Sequence, residues 1–162
     1  MLDSWTNFKP LNYLDVDSRY GEITNLRLFK DTLVFWQTGA TGVLSVNERT
    51  MLQDVNDTNI ILGNGDVLQR YDYLTTKYGM APDQFCDTQS DTTLYWWDKY
   101  NKDLIMYPGG QTVLPMKISK TVSSLLNKST ISSPTLAYDN KYKEIIFSEL
   151  DNGLSLAYSE II

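Results

Sequence analysis

The chain has 162 residues, a formal net charge of −6 at pH 7, one cysteine and no histidine. Its length suits one ordinary domain with a real core, and its negative charge disfavours direct binding to nucleic acid or anionic lipid, which both attract basic surfaces. Without histidine, the usual base that activates a thiol or hydroxyl is missing, and Cys86 has no disulfide partner. We therefore expect no enzymatic activity and no cofactor.

Residues 1–21 are polar and rich in turn formers, without the basic start and apolar centre of a signal peptide. No apolar run approaches the roughly 20 residues that cross a bilayer, so we expect a soluble protein without membrane insertion. Acidic residues alternate from Asp15 to Glu22, as in a calcium loop. However, Arg19 occupies the place of an oxygen ligand, and Leu26 stands where a bidentate Glu is needed. We expect no metal site.

Residues 22–47 follow a pattern of strand, turn, strand and strand. Lys30 and Asp31 form the predicted first turn. Gly39 and Gly42 lie in the second connection, where glycine supplies the backbone freedom that a tight turn needs. The segment is therefore predicted to be an antiparallel unit of short strands.

Residues 48–86 are less regular. Gly63 and Gly65 lie between two short apolar runs. Because a third glycine and the Lys-Ser/Thr end of a phosphate loop are missing, a hairpin or loop turn explains them better than a nucleotide site. Residues 70–79 fit either a short helix or an irregular strand, and their alternating tyrosines favour the extended form.

One helix is predicted, from Ser119 to Asn127. Val122, Leu125 and Leu126 fall at helical spacing, and Ser119 is placed to cap the first turn. Everything else beyond residue 86 is predicted to be β-structure, apart from the turns that connect the strands.

Two hairpins in this second half resemble each other. Residues 92–107 and 136–147 each contain an alternating apolar run that ends in aspartate, a polar turn with lysine, and a second apolar run. The aspartates are Asp98 and Asp139, 41 positions apart. A period near 40 is typical of one β-propeller blade. Because the aspartate recurs, we interpret it as a turn residue that bonds its own backbone rather than as a catalytic acid.

These patterns predict an all-β fold with a short helix, built of β-propeller-like antiparallel blades that form an incomplete propeller of about three units. The units cover about residues 22–47, 87–116 and 132–162, with 48–86 less regular. Residues 1–162 are expected to form a single β-rich domain or a fragment of a larger propeller, and the apolar end at Ile161 and Ile162 favours a fragment.

Two stretches carry a family resemblance. They are residues 22–37 running into Gly42-Val43-Leu44-Ser45-Val46-Asn47-Glu48-Arg49, and Thr93-Leu94-Tyr95-Trp96-Trp97-Asp98 with its turn at 101–103. Together they resemble propeller-type segments of tail structural proteins of tailed phages, of the tubular, stabilization or muzzle type, including phages that infect gut Bacteroidetes. The likeness touches roughly residues 22–160. It implies a role in virion architecture, around the DNA exit path, without catalysis.

Four aromatic residues of the first echoed hairpin have two interpretations. Trp96, Trp97, Tyr95 and Tyr107 form a possible interaction surface for a sugar or a protein partner, since such rings offer a large rigid area. Alternatively, they fill the core between adjacent blades. Because consecutive strand residues point to opposite faces, Trp96 and Trp97 cannot share one core face. One of them is expected to face a neighbouring blade or solvent.

The leading hypothesis is a non-enzymatic structural component of a phage tail that assembles with neighbouring subunits. It predicts location in the virion tail, partners among the other virion subunits, and oligomers in the parent assembly. The alternative is a carbohydrate-binding module for host-surface recognition, which would use Trp96 or Trp97 as the stacking surface. The sequence alone marks no oligomer interface.

Overall fold

The alternating apolar and polar residues of the chain form strands, as their spacing of two predicts. The computed structural model describes residues 13–47, 50–53, 59–62, 67–82, 85–110, 112–116, 120–128, 134–149 and 153–159. The strands are β1 (Ile23–Phe29), β2 (Thr32–Gln37), β3 (Thr41–Asn47), β4 (Thr50–Gln53), β5 (Asn59–Leu62), β6 (Val67–Thr75), β7 (Asp87–Gln89), β8 (Leu94–Asp98), β9 (Asp103–Tyr107), β10 (Leu114–Pro115), β11 (Thr135–Asp139), β12 (Glu144–Glu149) and β13 (Leu154–Ser159). A 3₁₀ turn spans Ser18–Tyr20, and the helix α1 spans Lys120–Lys128. The predicted class, all-β with a short helix, is confirmed.

In the described part of the chain, thirteen strands form three antiparallel sheets and one separate hairpin. The first sheet has the order β1-β2-β3-β6, and the hairpin β4-β5 is inserted between its third and fourth strands. The middle sheet has the order β7-β8-β9-β10, and the third sheet has the order β11-β12-β13. Within each sheet, every strand pairs antiparallel with the strand beside it. The chain therefore completes one sheet before it starts the next.

The ambiguous segment 70–79 is extended, as its alternation favours, because β6 continues to Thr75. It pairs with β3 and so completes the first sheet across the inserted hairpin. Part of the region that the sequence marks as less regular thus belongs to the first antiparallel unit. The turn predicted at Gly63 and Gly65 lies outside the described residues.

The two echoed turns share a backbone pattern. Asp98 pairs with Asp103 across one turn, and Asp139 pairs with Glu144 across the other. Each turn ends in a lysine with positive φ, +54° at Lys102 and +55° at Lys143. The same spacing of aspartate and lysine therefore produces the same local geometry twice.

The three sheets stack face to face, with the middle sheet between the other two. Trp96 points towards the first sheet, where its ring lies 5.6 Å from Trp36, nearly edge-on. Trp97, the next residue, points the opposite way and lies 5.2 Å from Phe147 of the third sheet. Alternation along β8 thus places one indole in each of the two inter-sheet cores.

The stack is narrow at one edge and open at another. At the narrow edge, the Asn25 side chain of β1 donates to Asp87 of β7 at 3.0 Å, and the backbone N–H of Leu136 in β11 donates to the carbonyl of Phe85 at 2.8 Å. Away from that edge, a crevice of about 590 Å³ separates β3 and β6 from the end of β9. The first and middle sheets therefore diverge like a wedge.

The helix lies close to its predicted position, at Lys120–Lys128. Leu126 is buried and joins the core, and Lys102 donates to the carbonyl of Asn127 at 3.0 Å, near the end of the helix where a cation is favourable. Ser119, the predicted cap, lies outside the described residues. No helix in the described part of the chain is long and apolar enough to span a bilayer.

Replacement of Trp96 by alanine is expected to destabilise the chain by about 3–5 kcal/mol, because it empties a fully buried site between two sheets. Urea denaturation followed by circular dichroism measures this loss. Tyr100→Ala is the matched control: its ring is 68% exposed, so the change should stay within about 0.5 kcal/mol. Equal effects of the two substitutions would contradict the sheet-stacking role of Trp96.

Candidate interaction surface

All four aromatic residues singled out from the sequence lie in the core. Trp96 is 0% exposed, Trp97 1%, and Tyr95 and Tyr107 both 3%. Of the two expected environments for the second tryptophan, a neighbouring sheet or solvent, the structure has the sheet, because a neighbouring sheet covers each indole. Contact between a sugar ring and either indole would require two sheets to separate. Their use as an interaction surface, and with it the carbohydrate alternative, stays a prediction.

Burial of the tryptophans has a polar cost that their packing exceeds. Within the described residues, the indole N–H groups of Trp36, Trp96 and Trp97 have no hydrogen-bond partner. Each unmatched donor costs about 1–3 kcal/mol. Burial of about 150–250 Å² of aromatic surface contributes about 4–6 kcal/mol per ring. The balance favours burial, so these side chains hold the sheets together.

Tyr107 shows the same preference for the core. Its ring lies 5.9 Å from that of Phe29 in the first sheet, and its hydroxyl donates to the carbonyl of Gly110 at 2.8 Å. Burial raises the pKa of the phenol, because the charged form would lose its hydration. The hydroxyl therefore stays neutral and serves as a fixed donor.

An ion pair joins the first and middle sheets at the narrow edge of the stack. The carboxylate of Asp87 is 4% exposed and pairs with the guanidinium of Arg27. It also accepts a hydrogen bond from Asn25. A buried carboxylate needs such partners, so β1 and β7 are fixed in register with each other.

The two recurring aspartates cap their turns, as their position before a turn predicts. Asp98 accepts from the backbone N–H groups of Gly79, Tyr100 and Asn101, at 2.9–3.2 Å, and from the Asn101 side chain at 2.6 Å. Asp139 accepts from two backbone N–H groups of its own turn. Bonds from backbone donors are typical of structural aspartates.

A surface that the sequence analysis missed lies on the first sheet, on the face that points away from the middle sheet. Register places two rows of side chains there: Leu26, Phe35, Gly42 and Tyr73 in one, and Leu28, Leu33, Leu44 and Tyr71 in the other. We call these side chains the outward face of the first sheet. Leu26 is 51% exposed and Leu28 62%. The sequence does contain a signal for this surface, because β1 and β2 carry apolar residues on both of their faces.

Aromatic rings fix one half of this outward face. The Phe35 ring lies 5.8 Å from Tyr73 and 6.3 Å from Tyr71. It also lies over Gly42, where any Cβ would collide with the ring. The Tyr73 hydroxyl donates to the side-chain oxygen of Gln37 at 2.6 Å. This half is rigid and buried, with Phe35 0% exposed, whereas Leu26 and Leu28 at the β1 edge of the face are open to solvent.

The outward face of the third sheet has a different character. Its exposed or half-buried side chains are small or polar, with Ile146 as the exception: Thr135, Ala137, Asp139, Glu144, Ile146, Ser148, Ser155, Ala157 and Ser159. The opposite face of the same sheet carries Leu136, Ile145 and Phe147, which are buried against the middle sheet. The two ends of the stack are therefore unlike, one with large apolar side chains and the other with small ones.

The crevice between the first and middle sheets offers little to a ligand. Its charged lining residues are Arg70 and Asp72, which pair with each other at 2.9 Å and are more than half exposed. Across the described ranges, no three histidine, cysteine or carboxylate side chains are grouped as metal ligands. The outward face of the first sheet is thus the best-defined candidate for binding.

The chain is similar in sequence to known proteins of one family. A family model described as the Crassvirus muzzle protein matches residues 1–162. The chain is also similar to the muzzle protein of Bacteroides phage crAss001, with 23% identity over 168 aligned residues. That alignment covers 99% of this chain and 12% of the relative. The chain therefore spans about an eighth of the length of this curated relative.

The two aspartates should differ in their contribution to stability. Asp98→Ala is expected to cost about 3 kcal/mol, because it leaves buried donors unmatched. Asp139→Ala removes a half-buried acceptor with two donors and should cost about 1 kcal/mol. Urea denaturation of both variants measures the difference. Equal losses in the free energy of unfolding would show that the additional hydrogen-bond donors to Asp98 do not stabilise the fold.

Asp103 should make stability depend on pH. Burial and, next, the charge of Asp98 raise its pKa in the folded state. Its ionised form therefore destabilises the fold above the folded pKa, and this penalty vanishes as pH falls below the ordinary carboxyl value of about 4. Asp103→Asn should be more stable than wild type at neutral pH, by a margin that shrinks on acidification. Thermal melts across pH test this, and a variant less stable at neutral pH would contradict it.

Proposed function

The chain belongs to the Crassvirus muzzle protein family, and from that premise we propose that it is a non-enzymatic structural component of a phage tail that assembles with neighbouring subunits. The match of the family over residues 1–162 carries the proposal. Its location is then the virion, and its partners are other virion components, as the muzzle protein of Bacteroides phage crAss001 suggests by name.

The build of the chain supports a static role. One continuous apolar cluster runs through all three sheets and includes Trp36, Trp96, Trp97 and Phe147. Two buried carboxylates, Asp87 and Asp98, are engaged in contacts between strands and turns. A particle component needs such rigidity, because its shape must be the same in every copy.

The three sheets are proposed to be propeller-like blades. In each of them the chain starts at one edge, β1, β7 or β11, and these three strands lie together at the narrow edge of the stack. It then moves outward strand by strand before it returns to start the next sheet. Sheets that stack face to face and converge along their first strands are typical of a propeller. This arrangement supports the predicted units at about 22–47, 87–116 and 132–162.

The proposal predicts that the chain is present in purified particles of the phage that encodes it. Mass spectrometry of density-purified virions should detect peptides from residues 13–159, and immunogold labelling should place them at the tail. Antibody to a capsid protein of the same particles is the control for labelling position. Detection of the chain in infected cells but never in particles would overturn the structural role.

A further inference from the structure

The third sheet has one strand fewer than its neighbours in the described part of the chain. In the first sheet, β6 pairs with the outer side of the third strand, β3, and in the middle sheet β10 pairs with the outer side of β9. In the third sheet, β13 holds the place of β3 and β9, and β12 is the strand that pairs with it. Among the described strands, the outer side of β13 is therefore a sheet edge.

The sequence of β13 also lacks the features that prevent pairing at a sheet edge. Edge strands are usually short, bulged, charged or interrupted by proline, because an unmodified edge is a template for another strand. The other described edge strands of the three stacked sheets carry such residues: Arg27 in β1, Arg70 and Asp72 in β6, Asp87 in β7, Pro115 in β10 and Asp139 in β11. In contrast, β13 has neither charge nor proline, and its register with β12 continues over six pairs. This edge is thus open to strand addition.

The backbone of β13 supplies the binding groups. In an antiparallel strand, every second residue directs both its N–H and its C=O group to one neighbour, and the residues between them direct theirs to the other side. Along residues 154–158, one of these sets faces β12. The other set faces the sheet edge, where an added strand forms a second ladder of hydrogen bonds. Affinity for an added strand therefore comes mainly from the main chain.

The side chains of β13 indicate the chemistry of an added strand. Leu154, Leu156 and Tyr158 are half-buried and pack against the core, while Ser155 and Ala157 are exposed on the opposite face. Directly opposite residues of paired strands lie on the same face of a sheet. The added strand should therefore alternate, with apolar side chains beside the leucines and small or polar ones beside the serine and the alanine.

The outer strands of the other two sheets show the same division. Leu74 of β6 packs against the core, and Met116, directly after β10, is 6% exposed. In the described residues, each is a single strand that ends its sheet. A second copy that paired through its own β13 would bring β11 and β12 with it and form a sheet of six strands, unlike either four-stranded sheet. The pattern therefore favours one extended segment over a second copy.

We propose that the outer edge of β13 is a strand-addition site, and that an extended antiparallel segment of another virion polypeptide binds there as the fourth strand of the third sheet. The segment lies opposite positions 154–158 and alternates apolar with small or polar side chains. This inference rests on the proposed function, because it takes the partner from the assembled particle. It adds a binding site and the class of ligand that the site accepts.

Hydrogen exchange followed by mass spectrometry tests whether this edge is covered. Peptides that span residues 154–158 are compared between the purified chain and density-purified particles. In the purified chain, the amides that point to the edge should exchange rapidly. In particles, their exchange should slow by about 100-fold or more, because each amide becomes part of a ladder. The turn that contains Tyr100, whose ring is 68% exposed, is the internal control and should exchange at the same rate in both samples.

A lysine on the edge strand tests whether incorporation depends on this pairing. Ala157→Lys places a charge on β13, which disfavours addition of another strand. Ala137→Lys is the matched control, because Ala137 is exposed on the same face but lies on β11, at the opposite edge of the sheet. Ala157→Lys should reduce the amount of chain in particles by about tenfold or more, and Ala137→Lys should leave it unchanged. Thermal melts followed by circular dichroism confirm that both variants fold. Equal amounts of the two variants in particles would overturn the inference.

Photo-cross-linking identifies the source of the strand. Ala157 is replaced by p-benzoylphenylalanine, intact particles are irradiated, and the products are identified by mass spectrometry. A product with a different virion polypeptide supports the inference. A product that joins two copies of this chain, or a link within one copy, overturns it, because the strand then comes from the chain itself.

The outcomes also separate this inference from the proposed function. Slow exchange of residues 154–158 already in the purified chain, or rapid exchange in both samples, overturns the inference. If the chain is nevertheless present in particles, the structural role stands without this strand. If the chain is absent from particles, the structural role and the inference both fail.

Discussion

Two adjacent tryptophans in β8 determine how the three sheets come together. Because neighbouring residues of a strand point to opposite faces, Trp96 and Trp97 need an apolar layer on each side, and the first and third sheets provide it through Trp36 and Phe147. A two-layer sandwich would leave one indole in water. The middle sheet therefore depends on both neighbours, and a three-layer stack is the smallest arrangement that satisfies it.

The sequence predicts the strands and turns well because these depend on local chemistry. Apolar alternation and turn residues set the hairpins, and the aspartates and lysines of the two echoed turns give matching backbones. The pairing of β6 with β3 is beyond local reasoning, since it depends on a contact made across the whole inserted hairpin. The sequence left the burial of Trp96 and Trp97 open for a similar reason: periodicity shows that two faces exist but not what covers them.

The echoed turns show how tertiary context changes the role of one local motif. Asp98 and Asp139 occupy the same place before a turn and accept bonds from the same kind of backbone donor. Only Asp98 also receives the N–H of Gly79, which lies 19 positions earlier in the chain. That contact converts a local turn acceptor into a link between β8 and the segment that enters the middle sheet. Sequence similarity between the units identified the turn but not this link.

The two ends of the stack differ in the side chains that they present. An end face in contact with water favours polar side chains, and the outward face of the third sheet carries small and polar residues. Leu26 and Leu28 instead lie half or more exposed beside a rigid aromatic row of Phe35, Tyr71 and Tyr73. Covering such a face contributes about 25 cal/mol per Å², whereas leaving it open invites non-specific association.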